Sequence, residues 1–322
     1  SYVKRLAELT GKGAERLEYF QPYLEHEDKL LASDAYDEFA RAPYADIMAF
    51  KDRIDRQRLI MWIESPGMPA TRKRLYLMML SACGTPDEIP LLEKLLKQKN
   101  RRAKAGFDSV IACYLTLTGP KGLDLVDRLF LDDRDASYID TYATIMALRF
   151  HMTETDAIPR PRILASLRLV LARPKMASLV IPDLARSQDW SAMDQLVVMF
   201  KSAQNLSSWT RIPIINYLRA CPLPEAAKAL KKLEEVDPES VRRANTFFSI
   251  PVPARDTDSS NSSVNRESGL KFAFVGSQTT RPTQPGQLTA DVSPRPMAAV
   301  SPVAGPVLND GCRLGRRPAG PD

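Results

Sequence analysis

Two glycines 35 positions apart close two apolar segments in the same way, and this spacing constrains the fold more than any other feature of the chain. Gly84 follows Leu80-Ser81-Ala82-Cys83, and Gly119 follows Leu115-Thr116-Leu117-Thr118. Further closures fall near Thr153, between Gln188 and Trp190, and at Cys221-Pro222. A period of about 34–35 residues is the signature of a stacked helical array. After most closures a second, shorter amphipathic segment begins, at 89–96, 123–131, 193–200 and 226–236. A helix pair of this size cannot bury both apolar faces alone and must stack on neighbours. The fold class expected is therefore all-α, a right-handed α-solenoid of stacked antiparallel helix pairs.

The pattern along the chain fills in this plan. A helix is predicted over 14–24, kinked at Pro22. The next, over 28–40, has Leu30, Leu31, Ala35 and Phe39 as its apolar stripe, with Tyr36 and Ala32 beside it. Pro43 stops it, and helices over 45–54 and 56–63 lead to a loop at Ser65-Pro66-Gly67-Met68-Pro69. The helix over 71–83 carries Leu75, Leu77, Met78, Met79 and Leu80 around much of its circumference, so it should be buried on several sides. Its partner over 87–97 turns Leu91, Leu92, Leu95 and Leu96 inward and Lys94 and Lys97 outward. Pairs then follow at 104–117 with 122–131, 138–150 with 162–172, 177–185 with 192–203, and 209–220 with 224–236. Pro182 and Pro213 should kink the first helices of their pairs, and Asp237 opens a last helical fragment. In this register Leu92 and Leu230 occupy equivalent, buried places.

Residues 1–249 thus form a helical repeat domain. Residues 250–322 are dense in Pro, Ser, Thr and Gly, and offer too little apolar surface to offset chain entropy. They are expected to be a disordered tail, whose one apolar island, 270–275, docks on the body or forms a short strand.

Composition excludes little beyond this. A hydrophobic share of 44% and a charged share of 26% suit a soluble globular chain. The net charge of +6 permits an anionic partner without requiring one. Cys83, Cys113, Cys221 and Cys312 show no CxxC and no metal-ligand spacing. The first three lie in apolar helical contexts and read as buried free thiols. No apolar run reaches the roughly 18 residues of a transmembrane helix, and no signal peptide is visible. A start at Ser1 suggests a processed form or a fragment.

The segment Leu24-Glu25-His26-Glu27-Asp28-Lys29-Leu30-Leu31-Ala32-Ser33-Asp34-Ala35-Tyr36-Asp37-Glu38-Phe39-Ala40 resembles a HEAT-type repeat. Such repeats place an Asp at the turn between two helices, followed by a helix whose Ala positions let the pair pack closely. Asp189 and Asp237 resemble the same turn position. Together with 76–84, Asp183-Leu184-Ala185-Arg186 and Ala220-Cys221-Pro222, the stretch from about Leu17 to Asn245 is similar to uncharacterised bacterial HEAT-like proteins of the armadillo-type fold. The period is close to the tetratricopeptide length, but the Trp-Leu-Gly-Tyr consensus of those repeats is missing. The resemblance implies protein scaffolding, and an exported protein of the periplasm or cell envelope with an upstream signal. The chain alone reads as cytoplasmic.

No catalytic centre, cofactor site or metal site is expected. There is no HExxH, P-loop or GxGxxG, and no Ser/His/carboxylate signature. His26, among Glu25, Glu27 and Asp28, reads as a capping or ion-pairing side chain. Asp132-Asp133-Arg134-Asp135 lacks the glycine and distal glutamate of a calcium loop, and Asp135 reads as the cap of the next helix. The densest basic run contributes the candidate anion-contacting group, Lys97, Arg101, Arg102 and Lys104. It straddles an inter-helix loop and has no interleaved aromatic to stack a base. Trp62, Trp190 and Trp209 read as packing residues. Asp183 with Trp190 invites comparison with HEAT-like DNA glycosylases, but the helix between them should stop near Gln188. The leading functional reading is a non-enzymatic scaffold that binds a protein or peptide on its concave face. The alternatives are a nucleic-acid binder of the glycosylase type, which the thin charge excess disfavours, and a structural module of a larger exported protein.

Overall fold

The computed structural model describes residues 11–98, 106–202 and 208–247, together with Tyr2, Leu6 and Leu9. The segment 250–322 with its island 270–275, and Arg101, Arg102 and Lys104, lie outside these residues. The described residues are all-helical, at 79% helix, with no strand among them.

The helices in chain order are α1 (Ala14–Phe20), α2 (Lys29–Arg41), α3 (Tyr44–Phe50), α4 (Arg56–Glu64), α5 (Ala70–Cys83), α6 (Ile89–Leu96), α7 (Phe107–Thr118), α8 (Leu123–Val126), α9 (Tyr138–Thr153), α10 (Arg160–Leu169), α11 (Pro174–Ala177), α12 (Ile181–Arg186), α13 (Met193–Ser202), α14 (Ser208–Ala220), α15 (Pro224–Val236) and α16 (Pro238–Phe247). Local chemistry sets most of their boundaries. Asp28, Asp55 and Ser137 accept backbone N–H groups at the starts of α2, α4 and α9. Thr85 and Glu88 form a reciprocal capping box ahead of α6. Proline occupies the first turns of α6, α10, α11, α12 and α15, where its missing N–H costs nothing.

Helices two apart in the chain pack on one another, α5 on α7, α7 on α9, α12 on α14, α14 on α16 and α13 on α15. The segment after α8 packs likewise on α10. A second helix also meets the next first helix, as α6 does α7. One continuous core runs through the stack, from Leu17 and Phe20 to Val241 and Ala244. The N-terminal helices add a layer over α5, which α2, α3 and α4 all touch. Trp62 of α4 lies 4.8 Å from the Tyr76 ring, and Tyr44 of α3 meets Phe150 of α9 edge-on at 5.3 Å. Lys73, Leu75, Tyr76, Leu77, Met79, Leu80 and Ser81 are consequently all buried.

Several sequence expectations change. Leu30 is exposed, and the buried stripe of α2 is Ala32, Ala35 and Phe39. Five residues separate Leu30 from Ala35, a rotation of about 140° from it on a helix of 3.6 residues per turn. Leu230 is only half-buried; Ala226 and Leu233, seven apart, form the core face of α15. Pro182 does not kink a continuous helix: the chain turns at 178–180 and Pro182 begins α12 afresh. The helix after the acidic loop is capped by Ser137, not Asp135, whose N–H donates to Asp133. After α8 the chain widens into a π-helical turn over Asp127–Leu131 instead of continuing as a uniform amphipathic helix. Cys113 and Cys221 are buried, but Cys83 is half-buried.

Candidate interaction surface

Ion pairs link helices far apart in sequence, and two of them span the same distance. Arg74 of α5 holds Asp108 of α7 through Nε at 3.0 Å, and Arg149 of α9 holds Asp183 of α12 through Nη2 at 2.8 Å; each pair spans 34 positions. Arg149 also donates to the Leu179 carbonyl at 2.8 Å. Arg162 reaches back to Asp127 at 2.8 Å, where Ser166 donates to the same carboxylate oxygen at 3.0 Å. Arg168 pairs with Asp189, and Arg211 with Asp237. Asp189 and Asp237 do stand at turns, capping Ser191 and Ser240 N–H groups. The Tyr217 hydroxyl donates to the Asp189 carbonyl at 2.6 Å. These side chains position units; they are not arranged around a common reacting atom. Burial raises the Asp127 carboxyl above its ordinary range, against the bonds from Ser166 and Arg162.

His151 serves the same end. It is 1% exposed and joins α9 to α7. Its Nε2 lies 3.1 Å from the Ala112 carbonyl, which can only accept, so Nε2 carries the proton and Nδ1 accepts from the Thr155 hydroxyl at 2.9 Å. Burial lowers its pKa to about 4. Burial likewise pushes the Cys83 thiol up to about 11 and raises Cys113, the reverse of what a reactive cysteine needs.

The residues singled out by sequence land apart. Lys97 is exposed at the end of α6, and its ammonium binds Glu93 at 2.8 Å, while Lys94 reaches Glu64 at 3.5 Å. Both cations suit the negative end of α6. Of the anion-contacting group only Lys97 is described. Asp183 is 3% exposed; one oxygen faces Arg149 and the other takes Arg186 at 2.6 Å. Trp190 packs edge-on against Tyr217 at 5.1 Å, beyond the end of α12 and a left-handed Gln188. The two residues do not converge on a site. His26 is exposed and accepts the Asp28 N–H at 3.0 Å.

What the surface offers instead is apolar area. A shallow groove of about 360 Å³ lies between α4 and α6, lined by Ile60, Pro90 and Leu91 together with Glu64, Asp87, Glu88 and Lys94. On α9, Tyr138, Ile139 and Tyr142 stand 57%, 57% and 41% exposed. Sequence reasoning missed this second feature, because apolar residues of a first helix all read as core. The available signal was the pair of tyrosines at i and i+4 beside four aspartates. Among the described residues no group of His, Cys, Asp and Glu could hold a metal ion, and no helix is long and apolar enough to cross a membrane. Compared with family models, with curated proteins and with solved structures, the chain finds no match.

Proposed function

We propose that this protein is a non-enzymatic scaffold, a right-handed HEAT-like α-solenoid that presents a concave surface to a protein or peptide. The observation that carries the reading is the pairing of neighbouring units across one repeat length, Arg74 with Asp108 and Arg149 with Asp183, alongside first-helix-on-first-helix packing. Stacked helix pairs of this kind make a long rigid surface whose solvent-facing positions are free to vary. Support also comes from the polar side chains best placed for chemistry, Asp183, Asp127 and His151, which are all engaged in holding units together. Large apolar side chains left to solvent, by contrast, are the raw material of an interface.

The test is an unbiased selection of displayed random peptides on the full chain. Recovery of a recurrent sequence, bound by the native protein and lost on unfolding, is expected. Failure to recover any binder, together with turnover of a small-molecule substrate, would contradict the scaffold reading.

A further inference from the structure

The first turns of α9 combine two features that occur together nowhere else among the exposed apolar residues of the described chain. Tyr138 and Tyr142 lie one helical turn apart with their rings nearly parallel, 6.2 Å between centroids and 7° between planes. Ile139 lies beside them, equally exposed. The loop leading into this turn is acidic. Over 132–142 four aspartates, Asp132, Asp133, Asp135 and Asp140, outnumber two cations, Arg134 in the loop and Arg173, which donates to the Ala136 carbonyl at 2.6 Å and the Thr141 hydroxyl at 2.7 Å, in a chain whose net charge is +6. Asp132, Asp133 and Asp135 are exposed.

We infer that this face, resting on the scaffold reading above, docks an arginine-bearing peptide segment of a partner protein. The electron-rich faces of tyrosine attract a guanidinium, and arginine stacks on such rings better than lysine. Carboxylates a few residues away match the planar guanidinium fork, which can take two hydrogen bonds at once. Ile139 supplies apolar contact for the neighbouring side chain. Tyrosine is also among the residues that dominate interface energetics, because it buries a large rigid area at small entropic cost. The same charge repels phosphate, so a nucleic-acid backbone or an anionic lipid surface is the wrong occupant for this face. The local polarity is opposite to that of the chain as a whole, which favours a cationic partner over a second copy presenting its average surface.

The experiment titrates the full chain against a fluorescent dodecapeptide of alternating arginine and alanine, with the lysine–alanine and glutamate–alanine peptides alongside. The expected result is tightest binding to the arginine peptide and none to the glutamate peptide. The double substitution Tyr138→Ala with Tyr142→Ala should weaken arginine-peptide binding about tenfold or more, with the thermal midpoint unchanged. Asp133→Asn with Asp135→Asn should lower affinity and flatten its salt dependence. Equal binding of the arginine and lysine peptides, or affinity indifferent to the tyrosine pair, would overturn the assignment. So would a tyrosine-dependent dimer in sedimentation, which would make a second copy the occupant, or binding that emerges only when 250–322 is removed, which would make that segment the occupant. The random-peptide selection keeps the two levels apart. Binders insensitive to Tyr138 and Tyr142 would sink this docking face and leave the scaffold standing, whereas the absence of any binder, together with turnover of a small-molecule substrate, would sink both.

Discussion

Helices α5 and α9 both pack on α7, and each sends an arginine to an aspartate 34 positions on. Their surroundings differ. The N-terminal helices wrap α5, where Tyr76 bonds to Glu25 and Arg72 donates to the Leu24 and Ala32 carbonyls, at 3.2 Å in the second case. Helix α9 is packed along its length by α7 and α10, yet its first turns end in open tyrosines. A first helix is covered all round only where an extra layer of helices lies on it. The apolar residues of α5 are therefore spent on the fold, and those at the start of α9 are left for something else.

The sharpest break of this comparison is mutational. Leu77→Ala in α5 should cost about 2–5 kcal/mol in urea unfolding, because Leu77 is fully buried and its cavity has little room to collapse. Tyr142→Ala in α9 should stay within about 0.5 kcal/mol. Similar costs at the two sites would erase the distinction.

A second effect lies in pH. The His151 pKa is held at about 4 in the folded chain, below its ordinary value of 6.5, so the folded state prefers neutral imidazole. Its contribution is fully present above pH 6.5 and is lost as pH falls toward 4, about 3 kcal/mol in all. His151→Gln should remove that slope from a stability–pH profile between 6.5 and 4. A slope unchanged by the substitution would mean that His151 is not the group responsible.

The ion pairs give a smaller contrast. Arg149→Ala leaves Asp183 buried with Arg186 alone and should cost about 2 kcal/mol. The pair of Arg74 with Asp108 is more open to solvent, and Arg74→Ala should cost at most about 1 kcal/mol. Equal costs would show that burial of the carboxylate does not govern these junctions. The smallest effect concerns the chain reversals. Gly119 has φ of 62°, and Gly119→Ala should cost about 1 kcal/mol in thermal unfolding. No loss would show that the turn relaxes.

Those reversals were the most legible part of the sequence, although the two glycines act differently. Gly119 supplies a positive φ of 62° with ψ of −149°, a region open only to glycine, whereas Gly84 is extended and is needed because a Cβ there would sit 2.6 Å from the Leu80 carbonyl. The start of α15 at Pro224 was legible too, whereas Pro182, read as a kink, begins a helix. Facing was harder to read. Leu30 and Leu230 look like core by composition alone, and a shift of one position on a helix moves a side chain by about 100°. The junctions were present in the text as arginines and aspartates 34 apart, but charged residues at that spacing become a pattern only once their helices are known to be neighbours. The contact of Tyr44 with Phe150 had no sequence signal, because periodicity describes adjacent units and is silent on a helix folded back over several of them. The face at Tyr138 and Tyr142 was hidden for the related reason that periodicity cannot say which first helix lacks a cover.

Native-state hydrogen exchange on the full chain, with and without Arg149→Ala, tests the stack of helix pairs most directly, since such an array is held by nearest-neighbour interfaces. The account predicts lost protection in α9, α10 and α12, adjoining the broken junction, with α1, α2 and α4 unchanged. A uniform loss across every helix from α1 to α16 would contradict it.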